Sequence, residues 1–137
     1  MKNLGIVVNC RKPHAPKVLE RLAGKAHSLG MNLFVVCGEE GGAIPGAARL
    51  SEAELVKTAD VLLALGGDGT VLRAARILAG SDKPVLGVNL GSLGFMTSVT
   101  EQNLDHALEA LKHGQCTISN RSVAECRVTR DGKDLGC

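Results

Sequence analysis

The stretch LALGGDGTVLRAAR, Leu63 to Arg76, joins an apolar run to an amphipathic one through three glycines and a single acid. Just upstream, VLLAL is apolar at every position, the pattern of a strand buried on both faces of a sheet. Downstream, TVLRAARILAG is helical in pattern and ends at Gly80. Strand, glycine turn and helix in that order form the βα unit of a parallel sheet. Glycine allows close backbone approach to a ligand and positive φ. A helix starting near Thr70 aims its free N–H groups and positive dipole end at the same place. Such a turn suits phosphate, yet phosphate repels the carboxylate of Asp68.

The same unit recurs on either side. LGIVVNC (Leu4–Cys10) reads as a buried strand. It is followed by PHAPKVLERLAGKAHSLG, with Val18, Leu19, Leu22, Ala26 and Leu29 at helical spacing and Gly30 as its stop. MNLFVVC is a second strand. The glycine-rich run from Gly38 to Arg49 then reads as a loop, either a lid or a solvated connection. Ser51 with Glu54 three residues later is a capping box for a short helix ahead of VLLAL. PVLGVNL is a fourth strand, GSLGFMTSV a loop or short extension, and NLDHALEALKHG a helix ending at Gly114.

These alternating elements predict an α/β fold over residues 1–114, a doubly wound, Rossmann-like three-layer parallel sheet. From Cys116 the pattern changes. Ala124, Cys126 and Val128 alternate with Glu125, Arg127 and Thr129, an antiparallel strand buried on one face, and Asp131-Gly132 is a hairpin turn. Residues 115–137 are therefore read as the start of a β-rich domain that breaks off.

Bulk composition narrows the function classes. The chain has 137 residues, 45% hydrophobic and 22% charged, the balance of a globular domain. A net charge of +2 gives no electrostatic case for nucleic acid or membrane. Two Phe with no Tyr or Trp leave no aromatic platform for stacked bases. No run approaches the roughly 20 apolar residues of a membrane span, and the amino terminus lacks a signal-like apolar core. Five cysteines, an odd number without CxxC spacing, mostly sit at strand-like positions, where a free thiol behaves as a small hydrophobe. They fit a reducing cytoplasm. His14, His27, His106 and His113 show no ligand spacing.

In a parallel sheet the carboxyl ends of the strands share one edge, so Gly66-Gly67-Asp68-Gly69 and Gly91-Ser92-Leu93-Gly94 are expected to line one crevice. The GxxxxGK[ST] loop is absent, and a GxGxxG run starting at Gly67 fails at Leu72. Arg73 and Arg76 occupy neighbouring positions on the following helix and either point to solvent or meet phosphate. Asp68 has two readings as well. It is a turn or cap residue, or the carboxylate that phosphoryl transfer to a hydroxyl needs, accepting the proton or holding a metal.

GGDGTVLRAAR followed by GVNLGSLGFMTSV resembles the NAD kinase family, which pairs a GGDG motif with a downstream N-x-G-x-LGF motif. Diacylglycerol- and sphingosine-type lipid kinases share GGDGT but continue differently, and form the alternative enzyme reading. A nucleotide-binding module without catalysis is the third. The resemblance implies phosphorylation of the adenosine ribose 2′-hydroxyl of NAD to give NADP. ATP or polyphosphate would be the donor, with a divalent metal ion such as magnesium. It implies Asp68 as general base, and Asp68, Gly69, Arg73, Asn89 and Phe95 as NAD contacts. Gly66, Gly67, Gly69 and Thr70 would belong to the phosphate-cradling turn. NAD and ATP are then the partners, with a homo-oligomer expected for the full-length protein. Family members continue for over a hundred residues, beginning with an Asn-Glu or Asn-Asp pair absent here, so the chain reads as an amino-terminal portion.

Overall fold

A computed structural model describes residues 1–36, 44–91, 94–124 and 126–134. Strands β1 (Asn3–Val8) and β4 (Val61–Gly66) lie side by side at the middle of a six-stranded sheet with order β3-β2-β1-β4-β5-β6. The remaining strands are β2 (Asn32–Val36), β3 (Ala48–Leu50), β5 (Val85–Asn89) and β6 (Val99–Thr100), and every pairing is parallel. Helices α1 (Ala15–Ser28) and α4 (Leu104–His113) contribute to one apolar layer; α2 (Glu52–Thr58) and α3 (Asp68–Ile77) contribute to the other.

The period of two along β4 divides the layers. Val61, Leu63 and Leu65 pack with α1 and α4, whereas Leu62 and Ala64 pack with α2 and α3. That is why VLLAL carries no polar residue. α1 buries Val18, Leu19, Leu22 and Ala26, the stripe its sequence spacing indicates. Polar contacts tie α1 to α4 at the rim, where Arg21 Nε meets Asp105 Oδ1 at 2.8 Å and Lys25 pairs with Glu109. The capping box forms: the Glu54 amide donates to Ser51 Oγ and the Ser51 amide donates to Glu54 Oε2. Gly114 closes α4 at φ +69°.

Four expectations are corrected. The loop read from Gly38 to Arg49 ends in an edge strand, because Ala48–Leu50 pairs in parallel with Phe34–Val36; residues 38–43 lie outside the described residues. α3 begins at Asp68 rather than near Thr70, so the acid sits within the helix's first turn. The strand expected over Ala124–Thr129 shrinks to β7 (Thr129–Arg130), paired with β8 (Lys133–Asp134) around Asp131-Gly132. Ala124, Cys126 and Val128 are exposed, and Glu125 lies outside the described residues. Among the described residues these two short strands meet no face that buries them, so the alternating pattern finds no core there. Nor do the described cysteines sit in strands: Cys10 is half-buried just past β1, and Cys116 and Cys126 are exposed outside any strand; Cys37 and Cys137 lie outside the described residues.

Candidate functional site

The chain builds outward from β1 to β2 and β3, then returns to build β4, β5 and β6 on the other side. Strand order therefore reverses between β1 and β4, and the crevice beyond their carboxyl ends is where such a sheet takes ligands. Register brings the site together. Val8 pairs with Leu65 and Gly66 pairs with Asn89, so the ends of β1, β4 and β5 meet at one level. Two further backbone bonds continue this order past the strands: the Asn9 amide donates to Leu65 O and the Leu90 amide to Gly66 O, both at 2.9 Å.

The glycines of the first turn do different jobs. Positive φ, one of the two reasons for expecting glycine here, is absent at Gly66, Gly67 and Gly69. Gly66 is required by contact: a Cβ there would overlap the Thr70 hydroxyl and come within 3.2 Å of Asn9 Cβ. Gly67 is the extended N-cap of α3 at φ −128°, and a Cβ on Gly67 or Gly69 would meet nothing within 4 Å. Open space above those two backbones is what a phosphate cradle needs.

Asp68 does not cap its own helix. Its carboxylate reaches across the sheet edge to the segment after β5. There Oδ2 accepts the Phe95 amide and Oδ1 the Met96 amide, each at 3.0 Å. Gly94 lies so close that a Cβ would stand 2.8 Å from Asp68 Cγ. The Met96 and Phe95 amides, in that order, hold the Asp68 carboxyl below the ordinary carboxylate range. At neutral pH the group is an anion at the positive end of α3. It remains half-buried, and each oxygen keeps a lone pair for another donor. The carboxylate among these glycines thus has a structural role, joining the two turns, and enough exposure for a chemical one.

Asn89 is buried and its Oδ1 accepts the Gly91 amide at 2.8 Å, setting the path of the second turn. Thr70 is buried beneath Gly66. Phe95 is 95% exposed, its ring outside the core while its amide holds Asp68. Gly69, Arg73 and Arg76 are exposed on α3. Ser92 and Leu93 lie outside the described residues. His14, His27, His106 and His113 are exposed.

Sequence reasoning passed over Lys12. Its Nζ stands 3.3 Å from where a Cβ on Gly91 would be, so its ammonium lies against the second turn. The available signal was its place directly after a central strand, in NCRKP.

Among the described residues no three His, Cys, Asp or Glu side chains converge to form a metal cage. Magnesium needs no such cage when substrate phosphates and one or two carboxylates hold it, and Asp68 is a carboxylate of that kind.

Residues 4–116 match the family model of the ATP-NAD kinase N-terminal domain. The chain is 37% identical over 139 residues to NAD kinase of Syntrophotalea carbinolica, covering 99% of this chain and 48% of that protein. It is 34% identical over 137 residues to NAD kinase of Moorella thermoacetica, covering 100% and 44%. It thus spans about half the length of these relatives. Yeast NADH kinase complexed with NADH has the same fold, with a TM-score of 0.72 at 20% identity over 84% of this chain and 39% of that one.

Proposed function

Because the chain belongs to the ATP-NAD kinase family through its N-terminal domain, we propose that it forms the Asp68-bearing half of an enzyme converting NAD to NADP. The donor is ATP, with polyphosphate as the other candidate, and the acceptor is the adenosine ribose 2′-hydroxyl. The observation that carries this reading is the Asp68 carboxylate, ionised and half-exposed at the mouth of the strand-order reversal.

In the reaction the 2′-oxygen forms a bond to the terminal phosphorus while the bridging P–O bond breaks, leaving the shortened donor. Asp68 takes the hydroxyl proton as that bond forms. Gly67 and Gly69 let phosphate close on the first turn of α3, whose free N–H groups face it. Gly69, Arg73, Asn89 and Phe95 complete the dinucleotide side. Asn89 acts by shaping the second turn. Thr70 acts from beneath Gly66. A divalent ion, when bound, neutralises the donor phosphates. NAD and ATP are the partners of this reading, a homo-oligomer its assembly and the cytoplasm its compartment. Among the described residues no helix is long and apolar enough to cross a membrane.

The test is NADP formation from NAD and ATP, read with an NADP-specific dehydrogenase, beside melting curves with each nucleotide. NADP formation that Asp68→Asn abolishes upholds the proposal. A melt raised by nucleotide with no NADP leaves a binding module only. Absence of any shift removes the nucleotide reading itself.

A further inference from the structure

We propose that Lys12 contacts phosphate in this site, its ammonium carrying the charge that holds a pyrophosphate or triphosphate group over the Gly66–Gly67 turn. The proposal rests on the nucleotide reading above and adds a residue from the β1 side, where neither glycine motif lies.

The geometry comes from strand spacing. Lys12 stands four residues past the end of β1, yet its Nζ lies against Gly91, which follows β5. β4 stands between those two strands. Neighbouring strands are about 4.8 Å apart, so roughly 10 Å of sheet edge separates β1 from β5, and the Asn9–Lys12 turn and the Lys12 side chain cover it together. Turn and side chain together therefore pass the carboxyl end of β4, the place occupied by the glycine turn.

The backbone beneath Lys12 is fixed. Its amide donates to Asn9 O at 3.2 Å, and its carbonyl accepts the Ala15 amide at 3.0 Å. Asn9 Oδ1 also takes the Arg11 amide at 3.2 Å. The ammonium thus starts from a built turn.

Among the described residues its charge has no carboxylate partner: the ion pairs there are Arg21–Asp105 and Lys25–Glu109. The first turn of α1 carries no acid, and its positive end lies two residues beyond Lys12. A half-buried cation beside a helix amino terminus is electrostatically unfavourable alone. A polyanion over the turn reverses that sign and accepts the three ammonium donors.

The experiment is calorimetry on the 137-residue chain with four probes: inorganic tripolyphosphate, ATP, NAD and adenosine. Lys12→Gln is expected to weaken a phosphate-bearing probe about tenfold, the scale of one charge-assisted hydrogen bond, and to leave adenosine unchanged. Loss confined to tripolyphosphate and ATP places Lys12 on the donor; loss confined to NAD places it on the dinucleotide pyrophosphate. Lys12→Arg should restore most of the affinity, which separates charge from any effect on folding. Equal affinity of wild type and Lys12→Gln for every probe overturns the proposal, as does adenosine binding weakened in proportion or no rescue by arginine. If wild type binds none of the probes, the nucleotide reading falls and takes this proposal with it.

Discussion

Asp68 in the first turn of α3 holds the backbone amide of Met96 at 3.0 Å, from the glycine turn after β4 to the segment after β5. One side chain therefore joins the two motifs that the sequence separates by more than twenty residues. Removing its charge should separate structural from chemical consequences. Asp68→Asn keeps the size of the group and most of the packing around Gly94, so circular dichroism should show the native fold. NADP formation should fall by about 10²–10⁴, the usual worth of a positioned proton acceptor. Near-wild-type turnover would remove Asp68 from the chemistry.

The same contact fixes a pH dependence. The folded carboxyl is held below its ordinary value by the Met96 and Phe95 amides. Its contribution to stability is therefore complete above the unfolded carboxylate pKa and is lost as pH falls through the lower, folded one. Hydrogen exchange read by NMR should show the Phe95 and Met96 amides protected at neutral pH and released only in that acid window. In Asp68→Asn the acid-dependent step at these two amides should vanish. A step that persists in the variant would assign the protection to something else.

The adjacent glycines should part company on substitution. Gly66→Ala forces a Cβ into the Thr70 hydroxyl and should cost about 1–3 kcal/mol, as overpacking of a filled site does. Gly67→Ala adds its methyl to open space at an extended N-cap and should cost about 0.5–1 kcal/mol. Chemical denaturation measures both. Nucleotide affinity should fall in Gly67→Ala, because that methyl occupies the approach to the backbone. Equal destabilisation of the two would contradict the division of labour assigned to this turn.

Away from the site, Leu63 is fully buried in the layer under α1 and α4. Leu63→Ala should cost about 2–5 kcal/mol. Urea midpoints for this variant and for Ser51→Ala, which loses one cap worth about 1 kcal/mol, should therefore differ clearly. A smaller loss at Leu63 than at Ser51 would place the core elsewhere.

The layering was legible because it is local: VLLAL is apolar at each position, α1, α3 and α4 end close to glycines that mark their stops, and α2 opens on its capping box. The shared crevice followed from a rule about parallel sheets. What escaped depended on distance in sequence. β3 is three residues, Ala48–Leu50, whose pairing comes from β2 and not from its own pattern. The partners of Asp68 are backbone amides, which no residue type announces. Lys12 gains meaning only when β1 is known to lie beside β4, and the alternation near Val128 meets no second face among the described residues.

A crystal structure of the chain with NAD bound bears most directly on the account as a whole. The expected result is the adenosine ribose 2′-hydroxyl within about 2.6–3.2 Å of an Asp68 carboxylate oxygen, the reach of a proton acceptor. Ribose bound elsewhere, with Asp68 still engaged only by Phe95 and Met96, would contradict it.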